Sequence, residues 1–295
     1  MRQIAILLDS TCDMSIEHLT EFHLDYCPMG VSIDDKQYAA DLSWKDMSPH
    51  DFYELMKQGK RPYTQQITEQ VFRDKFTKYL KQDMDVLYIA CSSALSASVK
   101  VAARMAPDLM KEFPGSKVIV IDSLNAGMGQ GLMGITASEL RASGKSIDEI
   151  AAEIEKTKLK YNQWGTSGTL KYLKNAGRVK ASAAFFGDII GVKPIIISDI
   201  RGQNFAYKKV RGRKTSLQEL ADSVVRTAED PANHYLAITH ADALEDAKEI
   251  QRLVEEKVRF KRVFIHDMGP ILGASCGPDM VAAYDYGTEV TLEAK

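Results

Sequence analysis

The chain has 295 residues, enough for two domains, and 45% of them are hydrophobic, enough for substantial cores. Its 38 Lys and Arg residues nearly balance its 40 Asp and Glu residues, and the net charge of −2 argues against a nucleic-acid-binding protein. The four cysteines show neither a C-x-x-C pair nor a metal-ligand spacing, so we expect reduced thiols, no metal and no cofactor.

Three short apolar runs in the first half each end in a cluster of hydroxyl and acidic side chains. The runs are residues 4–8, 86–90 and 118–121, and the polar clusters are residues 9–13, 91–96 and 122–125. Such runs are typical of strands buried on both faces of a parallel sheet, and Ser, Thr and Asp after them predict helix starts. Ligands of open α/β sheets bind at the carboxyl ends of the strands. The polar clusters at these strand ends therefore predict a binding site for a carboxylate.

Helix and turn signals connect these strands. Helices are predicted to begin at Ser15, Ser48 and Thr68, and to cover residues 96–110, 128–143 and 147–159. Residues 29–33 and 37–40 form a predicted hairpin around Asp34-Asp35. The first strand begins without a preceding signal peptide, and no apolar span is long enough for a membrane, so we expect a soluble cytoplasmic protein.

The pattern changes near residue 160. Residues 171–214 contain eleven Lys or Arg against two Asp, and residues 192–197 and 205–210 predict a hairpin turning at Arg201-Gly202. Further predicted helices are residues 217–227 and 244–256, and further strands are residues 235–239, 262–266 and 289–293. We therefore predict two domains, a parallel-sheet α/β domain over 1–160 and a mixed-sheet α+β domain over 161–295, with a ligand cleft between or beneath them.

A series of motifs in order along the chain resembles the DegV family, fatty-acid-binding proteins that act as acyl-carrying subunits of bacterial fatty acid kinase. The motifs include Asp9-Ser10-Thr11-Cys12-Asp13, Pro62-Tyr63-Thr64-Gln65-Gln66, Ser92-Ser93-Ala94-Leu95-Ser96, Gly177-Arg178, Val192-Lys193-Pro194-Ile195 and Lys209-Val210-Arg211-Gly212-Arg213. The resemblance implies two α/β domains and a buried long acyl chain whose carboxylate is held by Ser93 and Thr64. The protein would then be a non-catalytic binding subunit.

Other residues join these two as candidates. Ser92 and Ser96 could cap a helix, hold a carboxylate, or do both, because hydroxyls at a helix N-terminus lie where an anion is stabilised. Ser275 is a further candidate for binding the carboxylate. It stands where the family has His in His-x-Gly-Pro-Gly, which puts the engagement of a kinase in question. Arg178 and Arg211 are candidates for docking a kinase or phosphate, although a basic segment is more often a solvated surface.

The chain also departs from the family at Gln65, where Ser is usual, and at Ala97-Ser98, where Gly-Thr is usual. Possible walls of the acyl pocket are Phe185, Phe186, Ile189, Ile190, Ile195, Ile196, Ile197 and Met268, although such residues are more often ordinary core. The glycines from Gly127 to Gly131 lack dinucleotide-binding spacing and predict close helix–sheet packing instead.

Two other functions remain open. One is an enzyme that acts on a small carboxylate or hydroxy-ketone in the same cleft, with Asp9 or Asp122 as the base. The other is a lipid carrier or sensor without a kinase. A G-x-S-x-G match at Ser275 does not support a hydrolase, because the last histidine, His266, precedes it.

Overall fold

The computed structural model describes residues 2–34, 36–180 and 191–294. The strands in these ranges are β1 Gln3–Asp9, β2 Leu24–Cys27, β3 Gly30–Ile33, β4 Lys36–Ala39, β5 Tyr63–Gln65, β6 Met84–Ala90, β7 Val118–Asp122, β8 Tyr161–Thr166, β9 Val179–Lys180, β10 Val192–Ser198, β11 Asn204–Arg211, β12 Tyr235–His240, β13 Arg262–Asp267 and β14 Val281–Tyr286. The helices are α1 Ile16–Glu21, α2 Pro49–Lys57, α3 Glu69–Leu80, α4 Ser98–Glu112, α5 Met128–Ala142, α6 Ile147–Thr157, α7 Lys171–Ala176, α8 Arg213–Thr227, α9 Leu244–Glu255 and α10 Pro270–Cys276.

The first half forms a four-stranded parallel sheet in the order β2-β1-β6-β7. Its central strands β1 and β6 are buried along almost their whole length, which explains their uninterrupted apolar sequences. The predicted hairpin is also present, because β3 and β4 pair antiparallel and β5 adds a third strand on the other side of β3. The predicted parallel α/β architecture of this half is confirmed.

The second half forms a seven-stranded mixed sheet in the order β13-β12-β14-β8-β10-β11-β9. The predicted hairpin of β10 and β11 is confirmed, with Gly202 at its tip in a left-handed conformation (φ 72°). The strand predicted at residues 289–293 is wrong, and the last strand is β14 instead. The predicted segment makes isolated backbone hydrogen bonds, from Val290 N to the Leu159 carbonyl and from Ile200 N to the Leu292 carbonyl, rather than a ladder.

Helix α5 connects the two sheets, since it packs against β1 of the parallel sheet and against β8 and β12 of the mixed sheet. Two of its glycines make this approach possible, Gly131 in the predicted stretch and Gly134 beyond it. A Cβ atom on Gly134 would lie 3.0 Å from a methyl group of Leu8, and one on Gly131 would lie 3.1 Å from the Cys12 carbonyl. The chain changes sheet at Lys158–Lys160, a 3₁₀ turn near the predicted boundary. That residues 1–160 and 161–295 are separate domains stays a prediction.

Two hydrophobic clusters form the core of the part of the chain that the structure describes. The larger one surrounds the parallel sheet and continues into the mixed sheet, and the smaller one lies between the mixed sheet and helices α8 and α9. None of the helices in the described ranges has the length and hydropathy that crossing a lipid bilayer would require.

Candidate functional site

Asp9, at the end of β1, organises the carboxyl edge of the parallel sheet. Its Oδ2 atom accepts hydrogen bonds from the Tyr88 hydroxyl at 2.9 Å and from Cys91 N at 2.8 Å, and its Oδ1 atom accepts one from Thr11 N at 3.0 Å. The carboxylate is fully buried, and these donors replace the water it loses. Asp9 therefore fixes the loop after β6 to the loop after β1.

The hydroxyls after β6 close their own loop rather than capping α4, so the predicted helix start at residue 96 is wrong. The helix begins at Ser98, its N-cap residue is Ala97, and no side chain caps it. Ser92 Oγ accepts a hydrogen bond from Ala94 N at 3.2 Å, and Ser96 Oγ accepts one from Ser98 N at 3.3 Å. Short polar side chains compete in this way for nearby backbone donors, which delays the helix by two residues.

A cavity of about 260 Å³ lies beside this loop. Its lining comes from the ends of β1 and β6, from β5, and from α7, β9 and α10 of the second half. The apolar side chains of the lining are Met29, Leu95, Ala97, Leu173, Ala176, Val179, Ile271 and Leu272. The polar ones are Thr11, Thr64, Gln65, Gln66, Ser96, Arg178, Asn204 and Ser275, and the thiols of Cys91 and Cys276 complete it.

The two thiols belong with the apolar wall. Burial raises the pKa of Cys276 to about 12 and raises that of Cys91 well above its usual value. Both side chains are therefore neutral near pH 7, and neither one is an activated nucleophile. The cavity has a predominantly hydrocarbon-like interior in this region.

A second cavity, of about 220 Å³, adjoins the first, since Thr64, Ala176, Arg178 and Ser275 line both. The other side chains around this outer cavity include the cations Lys60, Arg61 and Lys171. Arg61 is held in place by a 3.0 Å hydrogen bond to the Asn175 carbonyl and lies over the Tyr63 ring at 5.1 Å. The apolar inner cavity thus adjoins the basic outer cavity at the hydroxyls of Thr64 and Ser275 and the guanidinium of Arg178.

The structure brings together four of the seven predicted site residues: Thr64, Ser96, Ser275 and Arg178 all line the inner cavity. Ser92 and Ser93 are in the adjoining loop but outside the lining. Ser92 is fully buried, and Ser93 N donates a hydrogen bond to Asp122 Oδ1 at 3.1 Å. Their contribution to carboxylate binding stays a prediction.

Arg211 lies far from this junction. Arg178 directly precedes β9, whose Val179 pairs with Asn204 at the beginning of β11, whereas Arg211 is the last residue of β11. Seven residues of extended strand separate these two ends by about 23 Å. The structure therefore does not bring the two arginines into one docking site.

The predicted wall residues have other surroundings. Ile195 and Ile197 belong to the smaller hydrophobic cluster, Ile196 and Met268 belong to the larger one, and none of the four lines the inner cavity. Phe185, Phe186, Ile189 and Ile190 lie outside the described residues. Sequence reasoning missed the walls that α7 and α10 supply, because these helices are six and seven residues long and have too few turns for a periodic signal.

Comparison with known proteins identifies relatives along nearly the whole chain. The family model described as "Uncharacterised protein, DegV family" matches residues 3–285. A DegV domain-containing protein from Clostridium perfringens is 29% identical over 287 residues, covering 97% of this chain and 98% of that protein.

Solved structures match the fold closely. A structure described as fatty acid binding of a DegV family protein from Thermus thermophilus aligns with a TM-score of 0.87 at 24% identity, over 98% of this chain and 100% of its own. One described as DegV, a fatty acid binding protein from Bacillus subtilis, aligns with a TM-score of 0.81 at 24% identity, over 96% and 99%. At these identities the likeness establishes the common fold.

Proposed function

This chain belongs to the DegV family, and on that premise we propose that it binds one long-chain fatty acid, with the acyl tail in the inner cavity and the carboxylate at the junction with the outer cavity. Binding of fatty acids by the Thermus and Bacillus proteins supports the ligand class. The observation that carries the proposal is the continuity of an apolar space with a polar, basic one through Thr64, Ser275 and Arg178.

The energetics of such a ligand suit this division. Each buried methylene contributes about 0.8 kcal/mol, so the tail supplies most of the affinity. The carboxylate needs donors, because burying it without hydrogen bonds would cost several kcal/mol. The Thr64 hydroxyl can donate to it, and the Ser275 hydroxyl can do so by exchanging its long, 3.4 Å hydrogen bond to the Ile271 carbonyl for one to the ligand. The Arg178 guanidinium adds a charge-assisted donor at the exposed side.

The alternative of an enzyme acting on a small carboxylate has weaker support. Its two candidate bases, Asp9 and Asp122, are outside the linings of both cavities. Asp9 is occupied by the hydrogen bonds that hold the strand ends, and Asp122 Oδ1 accepts from Ser93 N and Leu124 N. Neither carboxylate is placed to remove a proton from a ligand in the cavity.

Lipid extraction tests the proposal. We expect fatty acid at near one equivalent to be extracted from the purified protein and identified by mass spectrometry. Thr64→Val preserves the side-chain volume but deletes the hydroxyl. We expect a fluorescent fatty acid to bind about tenfold more weakly, because one hydrogen bond to a charged group is lost. The matched control is Thr77→Val on α3. It makes the same substitution at a buried hydroxyl that has no hydrogen-bond partner. Absence of lipid from the wild type, together with no fatty acid uptake on titration, would refute the proposed function.

We also propose that the bound carboxylate is presented at the outer cavity to a partner kinase. This chain has no Walker-type loop that could hold a nucleotide, and its resemblance to the acyl-carrying subunits of fatty acid kinase implies that a second protein holds it. Arg178→Gln is expected to lower the rate of acyl phosphate formation by a fatty acid kinase at least about tenfold, while Arg211→Gln, at the far end of β11, leaves it unchanged. Equal rates for the two variants would contradict a docking role for Arg178.

A carrier or sensor without a kinase is the remaining alternative, and it predicts lipid binding without any phosphorylation.

A further inference from the structure

A group of metal-ligating side chains lies away from both cavities, where helix α2 faces the loop after β12. The ligand atoms of His50, Glu54 and Asp242 all lie within 4.8 Å of one another, the one such group among the described residues. His50 and Glu54 are four residues apart and share one face of α2. Asp242 is 192 residues further along the chain from His50, so no sequence spacing could have indicated this group.

The group already attracts a cation. The Lys57 ammonium donates hydrogen bonds to Glu54 Oε1 at 2.8 Å and to Asp242 Oδ2 at 2.9 Å, while His50 Nδ1 lies 3.1 Å from Asp242 Oδ1. The hydrogen bond to Asp242 raises the pKa of His50. Two carboxylates thus bind the Lys57 ammonium, the His50 imidazole contacts the other oxygen of Asp242, and the Lys57 side chain is partly exposed.

We propose that His50, Glu54 and Asp242 form a binding site for one Zn²⁺ ion, which takes the place of the Lys57 ammonium. A mixed set of one nitrogen and two oxygen ligands suits Zn²⁺, whereas Mg²⁺ and Ca²⁺ prefer oxygen ligands alone. Water completes the coordination, because His50 is exposed and the side chains of Glu54 and Asp242 are partly exposed. The ion links α2 of the first half to a loop of the second half, and residue Thr64 of the inner cavity follows α2 after six intervening residues.

Calorimetric titration of the tag-free, EDTA-dialysed protein with ZnCl₂ at pH 7.5 tests the site. We expect one equivalent to bind, and His50→Gln and Glu54→Gln each to weaken binding at least about tenfold by removing one of three ligands. Lys57→Met removes the competing ammonium and is expected to tighten binding. MgCl₂ is expected to bind at least about tenfold more weakly than ZnCl₂.

His23→Asn is the matched control, since it deletes an exposed histidine elsewhere on the surface at a left-handed position that Asn tolerates. It should bind Zn²⁺ as the wild type does. Binding is also expected to weaken from pH 7.5 to pH 6, because protons compete for His50. No Zn²⁺ binding by either the wild type or Lys57→Met would overturn the proposal, and so would wild-type affinity in both His50→Gln and Glu54→Gln. These outcomes are independent of the lipid, so they leave the proposed function untouched.

Discussion

Leu95→Asp is expected to reduce the fatty acid that co-purifies with the protein to below about a tenth of the wild-type amount. Leu95 lines the inner cavity from the loop between β6 and α4 and is half-buried there. The substitution removes apolar contacts with the tail and places a carboxylate beside hydrocarbon, and either effect exceeds the 1.4 kcal/mol that a tenfold loss requires. Mass spectrometry of extracted lipid, normalised to protein, measures it.

The fold is expected to tolerate this change, because Leu95 is in a turn and its backbone N donates to the Ser92 carbonyl, a bond that the side chain does not enter. Leu292→Asp supplies the matched control, an exposed leucine outside both cavities that receives the same charge. We expect a full lipid load in that variant. A full load in Leu95→Asp with an unchanged melting temperature would mean that the tail lies elsewhere in the molecule.

The parallel sheet was predictable because its strands are buried on both faces and therefore read as uninterrupted apolar runs. The centre of the mixed sheet was not. Strand β8 contains Asn162, Gln163 and Gly165, and β14 contains Ala282, Ala283 and Asp285, which have low strand propensity. These two strands form because they pair with each other and with their neighbours, β14 with β12 and β8 with β10. A local window of sequence contains no signal for such pairing.

The candidate site was also only partly predictable from the sequence. Thr64, Ser96, Ser275 and Arg178 were named from the sequence and do line one cavity. The roles of the hydroxyls after β6 could not be separated, because a serine that closes a turn and a serine that binds a ligand look alike in sequence. The inner walls depend on where two short helices of the second half are placed, and the packing of α10 on α7 and α2 determines that placement.

A large loss of stability is expected on substitution of Gly202, where the tip of the β10–β11 hairpin contacts the first half of the chain. A Cβ atom there would lie 2.3 Å from Ser92 Oγ and 2.6 Å from Leu124 Cα, and the residue has φ 72°. Gly202→Ala therefore has two costs: backbone strain at a positive φ, and a steric clash between the new Cβ atom and the backbone of Leu124 in the loop after β7. We expect a loss of about 2–4 kcal/mol in the free energy of unfolding, measured by urea denaturation.

Gly144→Ala separates the two causes. Gly144 also has a positive φ, 86°, but a Cβ atom there would meet nothing within 4 Å, so this variant carries the backbone strain alone and should lose about 1 kcal/mol. The difference between the variants measures the contact between the hairpin tip and the loops that hold Ser92 and Leu124. Since the hairpin also carries Asn204 of the inner cavity, we expect Gly202→Ala to retain less lipid than Gly144→Ala. Equal losses of stability in the two variants would show that the hairpin tip does not press on these loops in solution.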